Sequence, residues 1–310
     1  MSALLHTETQ EQAFESALAR GRLHHAWLLT GPEGLGKASF ARRFALRLLG
    51  ARSDTVDDPV VQLAEASAHP DLLILARDEE GGKKAIPVDE ARRLPAFFAK
   101  APSMGCYRVA IVDSADDLNV NAANAVLKTL EEPSANGVLF LISHAPGGLL
   151  PTIRSRCRRL RFDPWTDEAL AAFLADRTGL SGDDLARLTR MARGAPGRGL
   201  ALHASGALEL DAAAQTIIEG LPSLDARQAQ GLADRFRGAE GMARFELTLG
   251  LLADHAARMA GRLGRGGALW AQAQGRLAAL PLEVEGINLD RTDALLSALN
   301  DLKSVARGSC

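Results

Sequence analysis

The stretch Leu28-Leu29-Thr30-Gly31-Pro32-Glu33-Gly34-Leu35-Gly36-Lys37-Ala38-Ser39 constrains the fold more than any other. Gly31, Gly36 and Lys37 stand at the spacing of the P-loop, G-x-x-x-x-G-K-[ST], with Gly34 inside the loop. In that motif the N–H groups of the turn and the N-terminus of a helix cradle phosphates, and the lysine reaches the β/γ-phosphates. Ala26-Trp27-Leu28-Leu29 ahead of it reads as a buried strand, and Phe40, Phe44 and Leu48 behind it recur at helical spacing. The alternative, a glycine-rich turn with a chance lysine, leaves that context unexplained. One position departs from the motif. The residue after the lysine ordinarily offers a hydroxyl to Mg²⁺, and here it is Ala38. Ser39 carries a hydroxyl one residue further, about 100° around the helix. The phosphate cradle is kept and its metal ligand is lost.

A P-loop needs a parallel sheet, and the sequence supplies candidate strands at suitable intervals. Leu72-Leu73-Ile74-Leu75 is a continuous apolar run, expected as a fully buried strand. Tyr107-Arg108-Val109-Ala110-Ile111-Val112-Asp113 ends on an acid, the form of a Walker B segment in which the terminal aspartate holds Mg²⁺. The alternative for Asp113 is a solvated residue at a strand end. A glutamate commonly follows to polarise the attacking water, but this chain has Ser114. Asp116 lies three residues past Asp113 and is not expected to point back to the same place. Val138-Leu139-Phe140-Leu141-Ile142-Ser143 is a further buried strand, followed by His144, which is either a polar sensor or an ordinary loop histidine. Helices are expected over 8–22, 88–100 (kinked or divided by Pro95) and 121–132 (closed by Pro133). Residues 51–68 read as a polar surface excursion and 78–84 as a charged loop. Alternating strands and helices indicate a three-layer α/β domain with its ligand at the carboxyl ends of the strands, where Gly36, Lys37, Asp113 and Ser143 or His144 would gather.

Composition excludes several classes. A net charge of −2 gives no global attraction to nucleic acid. The three cysteines, Cys106, Cys157 and Cys310, are scattered, and residues 50–70 offer a zinc ion only His69, so no zinc is expected. Neither a signal peptide nor an apolar run long enough for a membrane span is evident, and a cytoplasmic chain is expected.

The segment Pro151 to Phe162 holds five arginines between Arg154 and Arg161. As a regular strand it would put Arg154, Arg156 and Arg158 on one face and Arg159 and Arg161 on the other. It is either a solvated basic edge or a segment from which one arginine reaches a phosphate. Asn124-Ala125-Val126-Leu127-Lys128-Thr129-Leu130-Glu131-Glu132-Pro133, then a strand, then Thr152-Ile153-Arg154-Ser155-Arg156-Cys157, resembles the bacterial clamp-loader ATPase family. The resemblance covers about the first half of the chain closely. It implies an AAA+ nucleotide-binding domain over 1–165, a helical lid over 166–206 and a C-terminal helical collar domain over 207–310. It also implies that Arg156 is a finger extended into a neighbouring subunit's ATP site. The implied partners are clamp-loader motor subunits of the gamma/tau type and a delta subunit in a hetero-oligomeric ring. Through that ring the chain would meet the sliding clamp and primed DNA of the replicative DNA polymerase, itself a nucleotidyltransferase assembly. Ala38 and Ser114 break the motor pattern, so the expected place is the non-motor branch, with weak ATP or ADP binding and no ATP hydrolysis of its own. Arg198 sits one residue out of register with the family's sensor-2 arginine and is not expected to contact nucleotide. The runners-up are an active motor subunit and a free-standing P-loop phosphotransferase, which would need an acceptor site and a catalytic base that the sequence does not offer. Within the last region, Leu295, Leu299, Leu302 and Ala306 form an apolar stripe, either core or interface.

Overall fold

The apolar runs assemble one parallel five-stranded sheet in the order β2-β3-β4-β1-β5. These strands are Ala26–Thr30 (β1), Leu72–Ala76 (β2), Arg108–Asp113 (β3), Gly137–Ser143 (β4) and Arg158–Arg161 (β5). This computed structural model describes residues 5–77, 85–233, 236, 241–287 and 289–308; the charged segment 78–84, expected as a loop, lies outside them. The chain divides into two compact units, residues 1–200 and 201–310. Among the described residues no helix is long and apolar enough to cross a membrane.

Alternation along the buried strands feeds two cores. Trp27, Leu29, Phe140 and Ile142 point to one face and pack with Phe14 of α1 (Glu8–Ala19) and with Phe40 and Phe44 of α2 (Lys37–Leu48). Leu28, Ala110, Leu139 and Leu141 point to the other and meet Leu94, Val126 and Leu130. The helices there are α4 (Val88–Ala91), α5 (Arg93–Phe98) and α6 (Val120–Glu131). Each fully buried Phe or Leu contributes roughly 1.5–3 kcal/mol, so these layers carry the unit's stability. Pro95 acts as expected. It has no N–H for the carbonyl of Ala91, and the helical segment divides at Arg92.

Three expectations are corrected. Among the described residues Leu72–Ala76 is the edge of the sheet and not a fully buried strand; it pairs there with β3 alone, and Ile74 is 42% exposed. The polar stretch 51–68 contains a helix, α3 (Pro59–Glu65), which buries Val61 and Ala64 and is capped by Asp58 accepting from Val60 N–H at 2.9 Å. The arginine tract is not one strand. Pro151–Ser155 is a short helix, α7, and only Arg158–Arg161 is extended.

Three helices follow the sheet: α8 (Asp167–Thr178), α9 (Gly182–Ala192) and α10 (Pro196–Ala204). Thr166 caps α8 as expected, accepting from Ala169 N–H at 3.3 Å. Among its described residues the second unit holds helices and no strand, with α11 (Ala207–Gly220), α12 (Ala226–Ala233), α13 (Gly241–Leu263), α14 (Ala268–Ile287) and α15 (Arg291–Gly308). The stripe Leu295, Leu299, Leu302 and Ala306 is core, since all four side chains are buried. A polar group is buried among these helices. His255 Nδ1 receives Arg258 Nη2 at 2.6 Å, so its Nε2 carries the proton donated to Asp211 at 2.9 Å.

Candidate functional site

All five strands run the same way, so the loops after β1, β3 and β4 leave the sheet along one edge. Register brings Thr30 beside Ser143 and Ala76 beside Asp113. Gly31 opens the P-loop at φ +145°, and a Cβ there would lie 2.2 Å from the carbonyl oxygen of Phe162. Gly36, at φ +80°, caps α2 in the left-handed region. Gly31→Ala is expected to cost at least about 1–3 kcal/mol from backbone strain, with the clash added. Denaturant unfolding checks this: a midpoint unchanged from the parent would show that the loop can yield.

Lys37 is only 3% exposed, and its Nζ donates to the carbonyl oxygens of Gly31 (2.6 Å) and Pro32 (2.5 Å). Burial lowers its pKa to about 8, against the opposing pull of Asp113, Glu33 and Asp116. The ammonium is thus folded back on the loop that would present it to a phosphate. Burial likewise pushes the Asp113 carboxyl above its ordinary value, more than His144 and Lys37 pull it down.

Gly34, Gly36, Lys37 and Asp113 line a cleft of about 1000 Å³. Asp117, His144, Arg77 and Arg177 add charge to its lining, and Leu5, Trp165, Phe173 and Leu200 add apolar surface. Trp165 meets His6 at 4.3 Å and Phe173 at 5.4 Å between ring centroids. The cleft has the size and the mixed polarity of a nucleotide site. Ala38 and Ser39 both line it. Helix α10 closes one side: Gly197 N–H donates to the Gly34 carbonyl at 2.8 Å, and a Cβ on Gly34 would lie 2.6 Å from the Arg198 nitrogen. Arg198 itself is exposed and is absent from the lining.

Asp116 corrects the sequence reading, because it does return to the site. Ser114 caps a 3₁₀ turn, Ala115–Asp117, that brings Asp116 back over the sheet edge. Asp116 accepts from Ser114 Oγ (3.2 Å), Ser143 Oγ (2.8 Å) and His144 N–H (2.5 Å). Saturated with donors, it holds the ends of β3 and β4 together and is poorly disposed to activate water. The signal for it was Ser114 itself, a hydroxyl two residues ahead of an acid, which is the pattern of a local side-chain turn. His144 Nδ1 is buried without a hydrogen-bond partner among the described residues.

Arg156 stands elsewhere. It is the C-cap of α7, so the alternation expected of a strand does not apply to Arg154 and Arg156. Its Nη1 donates to the Thr152 carbonyl at 3.1 Å and its Nη2 pairs with Glu131 at 3.0 Å. Glu131 ends α6, just before β4 begins, and Arg158, two residues past Arg156, is level with Trp27 near the start of β1. Arg156 therefore lies at the amino ends of the strands, and its own P-loop lies at the carboxyl ends. Its neighbours are engaged differently: Arg158 lies 5.0 Å over Trp27, Arg159 Nε donates to Thr30 Oγ1 at 3.0 Å, and Arg161 pairs with Asp163 at 2.6 Å.

A family model described as DNA polymerase III, delta subunit matches residues 6–166. The chain belongs to that family. The chain is similar to DNA polymerase III subunit delta' of Pseudomonas aeruginosa, 38% identical over 69% of this chain and 66% of the relative. It is also similar to DNA polymerase III subunit gamma/tau of Mycobacterium tuberculosis, 36% identical over 54% of this chain and 30% of the relative. The matches thus span less than two thirds of these relatives' lengths. Among solved structures, a DNA polymerase III gamma subunit-related protein of Thermotoga maritima aligns over 96% of this chain and 98% of its own at a TM-score of 0.52 and 18% identity, a likeness of fold. The fold is accordingly the AAA+ P-loop sheet followed by small helices and an all-α C-terminal unit.

Proposed function

We propose that this chain is a non-motor, delta prime-type subunit of a DNA polymerase III clamp loader, and that Arg156 serves the ATP site of a neighbouring subunit. The observation that carries this reading is the position of Arg156 at the amino ends of the strands, opposite its own P-loop, with its side chain 36% exposed, paired with Glu131 and donating to the Thr152 carbonyl. An arginine there cannot reach its own cleft, but it can meet an adjoining one. Ala38 and Ser114 support the non-motor assignment, and the relatives named delta' support the branch. The partners are then motor subunits of the gamma/tau type and a delta subunit, with the sliding clamp and primed DNA reached through the assembled ring. Size-exclusion chromatography of the chain mixed with gamma/tau and delta subunits from the same cell tests the reading. Co-elution in one complex is expected, and the chain alone is expected to leave ATP intact with Mg²⁺ present. A chain that stays apart, or that hydrolyses ATP by itself, overturns it.

The cleft in this reading is a residual nucleotide site. The glycine N–H groups and Lys37 suit phosphates, and Ala38 supplies no ligand for Mg²⁺. Calorimetric titration is expected to show weak ADP or ATP binding that is nearly the same in EDTA and in Mg²⁺. Phosphate contact needs the charged ammonium, so affinity should fall as pH rises above about 8, where Lys37 in the empty cleft loses its proton. Lys37→Ala should remove both the binding and its pH dependence. Tight, strictly Mg²⁺-dependent binding would show that another group has replaced the missing hydroxyl.

A further inference from the structure

The second unit carries a groove of about 690 Å³ between α14 and α15, remote in sequence from every residue of the nucleotide cleft. Its floor is apolar, with Ala273, Leu277, Ala294 and Leu302 buried beneath it. Leu269 (43% exposed) and Leu289 (48% exposed) extend that apolar surface to solvent. The charged rim is mostly acidic. Glu283, Asp290, Asp293 and Asp301 line it against a single cation, Arg276, which pairs with Asp301 at 3.5 Å. Asp290 stays ionised, because the N–H groups of Asp293 and Thr292 hold its carboxyl below the ordinary carboxylate range.

An apolar floor accounts for an occupant's apolar face, and four carboxylates on the rim account for its flanks. From Leu269 to Glu283 the groove follows α14 for about 21 Å, the length of a helix of about 14 residues. Two packed helices that present one long apolar seam accept a third helix by laying side chains at i, i+3, i+4 and i+7 into it. We infer that the α14–α15 groove docks a basic amphipathic helix of another protein, leucine-type residues inward and Lys or Arg outward onto Glu283, Asp290, Asp293 and Asp301. A mostly acidic rim disfavours an acidic helix by like-charge contact, so the surface selects as well as binds.

The test uses the full chain and a fluorescent 18-residue helical peptide with leucines on one face and lysines on the rest. Two control peptides carry glutamate for lysine or the same residues scrambled. The lysine peptide is expected to bind, to weaken as salt is raised, and to exceed the glutamate peptide by about tenfold or more. Glu283→Lys with Asp293→Lys should reverse that preference, both sites being exposed. Ser297→Trp, also exposed, should fill the groove and abolish binding of either peptide, with helical circular dichroism unchanged. Equal binding of both charged peptides, binding of the scrambled one at the same strength, or binding that survives Ser297→Trp overturns the proposal. So does concentration-dependent self-association of the chain that Ser297→Trp breaks, because the occupant is then a second copy.

Discussion

Replacing Arg156 with alanine is expected to leave the clamp-loader complex assembled and to cripple the one ATP site that the arginine adjoins. An arginine finger supplied in trans is worth on the order of 10³–10⁵ in rate at the site it serves. A ring with several active sites loses only a share of its total turnover, so clamp loading should suffer more than ATPase. Arg156→Lys should behave like alanine, because a point charge on a flexible stem does not reproduce the rigid fork that a guanidinium offers to phosphate oxygens. The pairing with Glu131 does not oppose this role. Both side chains are well exposed, at 36% and 53%, and such a pair is worth at most about 1 kcal/mol. It parks the guanidinium without locking it. Exposed Arg154 is the proper charge control, since Arg159 also holds Thr30 Oγ1 at the start of the P-loop and its loss would disturb the loop. Steady-state ATP turnover and clamp loading by the reconstituted complex decide the matter. If both survive Arg156→Ala and Arg156→Lys at the level of Arg154→Ala, the arginine is an ordinary surface cation.

Much of this was legible in the sequence, and the parts that were not share a physical reason. Local spacing carried the P-loop, the strands at Ala26, Val109 and Val138, and the cap at Thr166, because each depends on residues near in the chain. Leu72-Leu73-Ile74-Leu75 misled because a continuous apolar run describes a central strand and an edge strand equally; only pairing with β3 alone distinguishes them. The arginine tract misled for a related reason. Alternating charge suggested a strand, but Pro151 at the first position of a helical turn fixes the backbone there, and extension begins only at Arg158. Asp116 was lost because a 3₁₀ turn reverses the direction that helical or extended geometry would give it. The groove between α14 and α15 is a property of two helices together and has no signature in either.

The pairing of Asp71 with Arg108, 37 residues apart, had no local signature at all, yet it should produce the largest loss of stability from one side chain. Asp71 is fully buried where β2 begins, and its backbone carbonyl accepts Val109 N–H at 2.9 Å. Its carboxylate receives Ser103 N–H (2.8 Å), Met104 N–H (2.8 Å) and Arg108 Nε (3.0 Å). Arg108, 5% exposed, donates further to Pro70 O (2.9 Å) and Phe97 O (2.5 Å) and lies 4.5 Å over the Phe97 ring. One ion pair thus joins the amino ends of β2 and β3 to the loop that leads into β3 and to α5. Asp71→Ala strands a buried guanidinium and two N–H groups and is expected to cost about 3–5 kcal/mol, lowering Tm by about 10 °C. Arg108→Met should cost less, because the carboxylate keeps its two backbone donors and the methionine still covers Phe97. The double variant should be more stable than the sum of the two losses. Burial alone would raise the Asp71 pKa, but the hydrogen bonds from Met104 and Ser103 and the charge of Arg108 bring it below the ordinary value. A carboxyl with a depressed folded pKa contributes its stability above the unfolded pKa of about 4 and loses it as pH falls through the folded value. Acid unfolding of Asp71→Ala should accordingly be flatter than that of the parent in this range. Melting curves of the three variants within about 2 °C of the parent would show that the loop and strands hold without the pair.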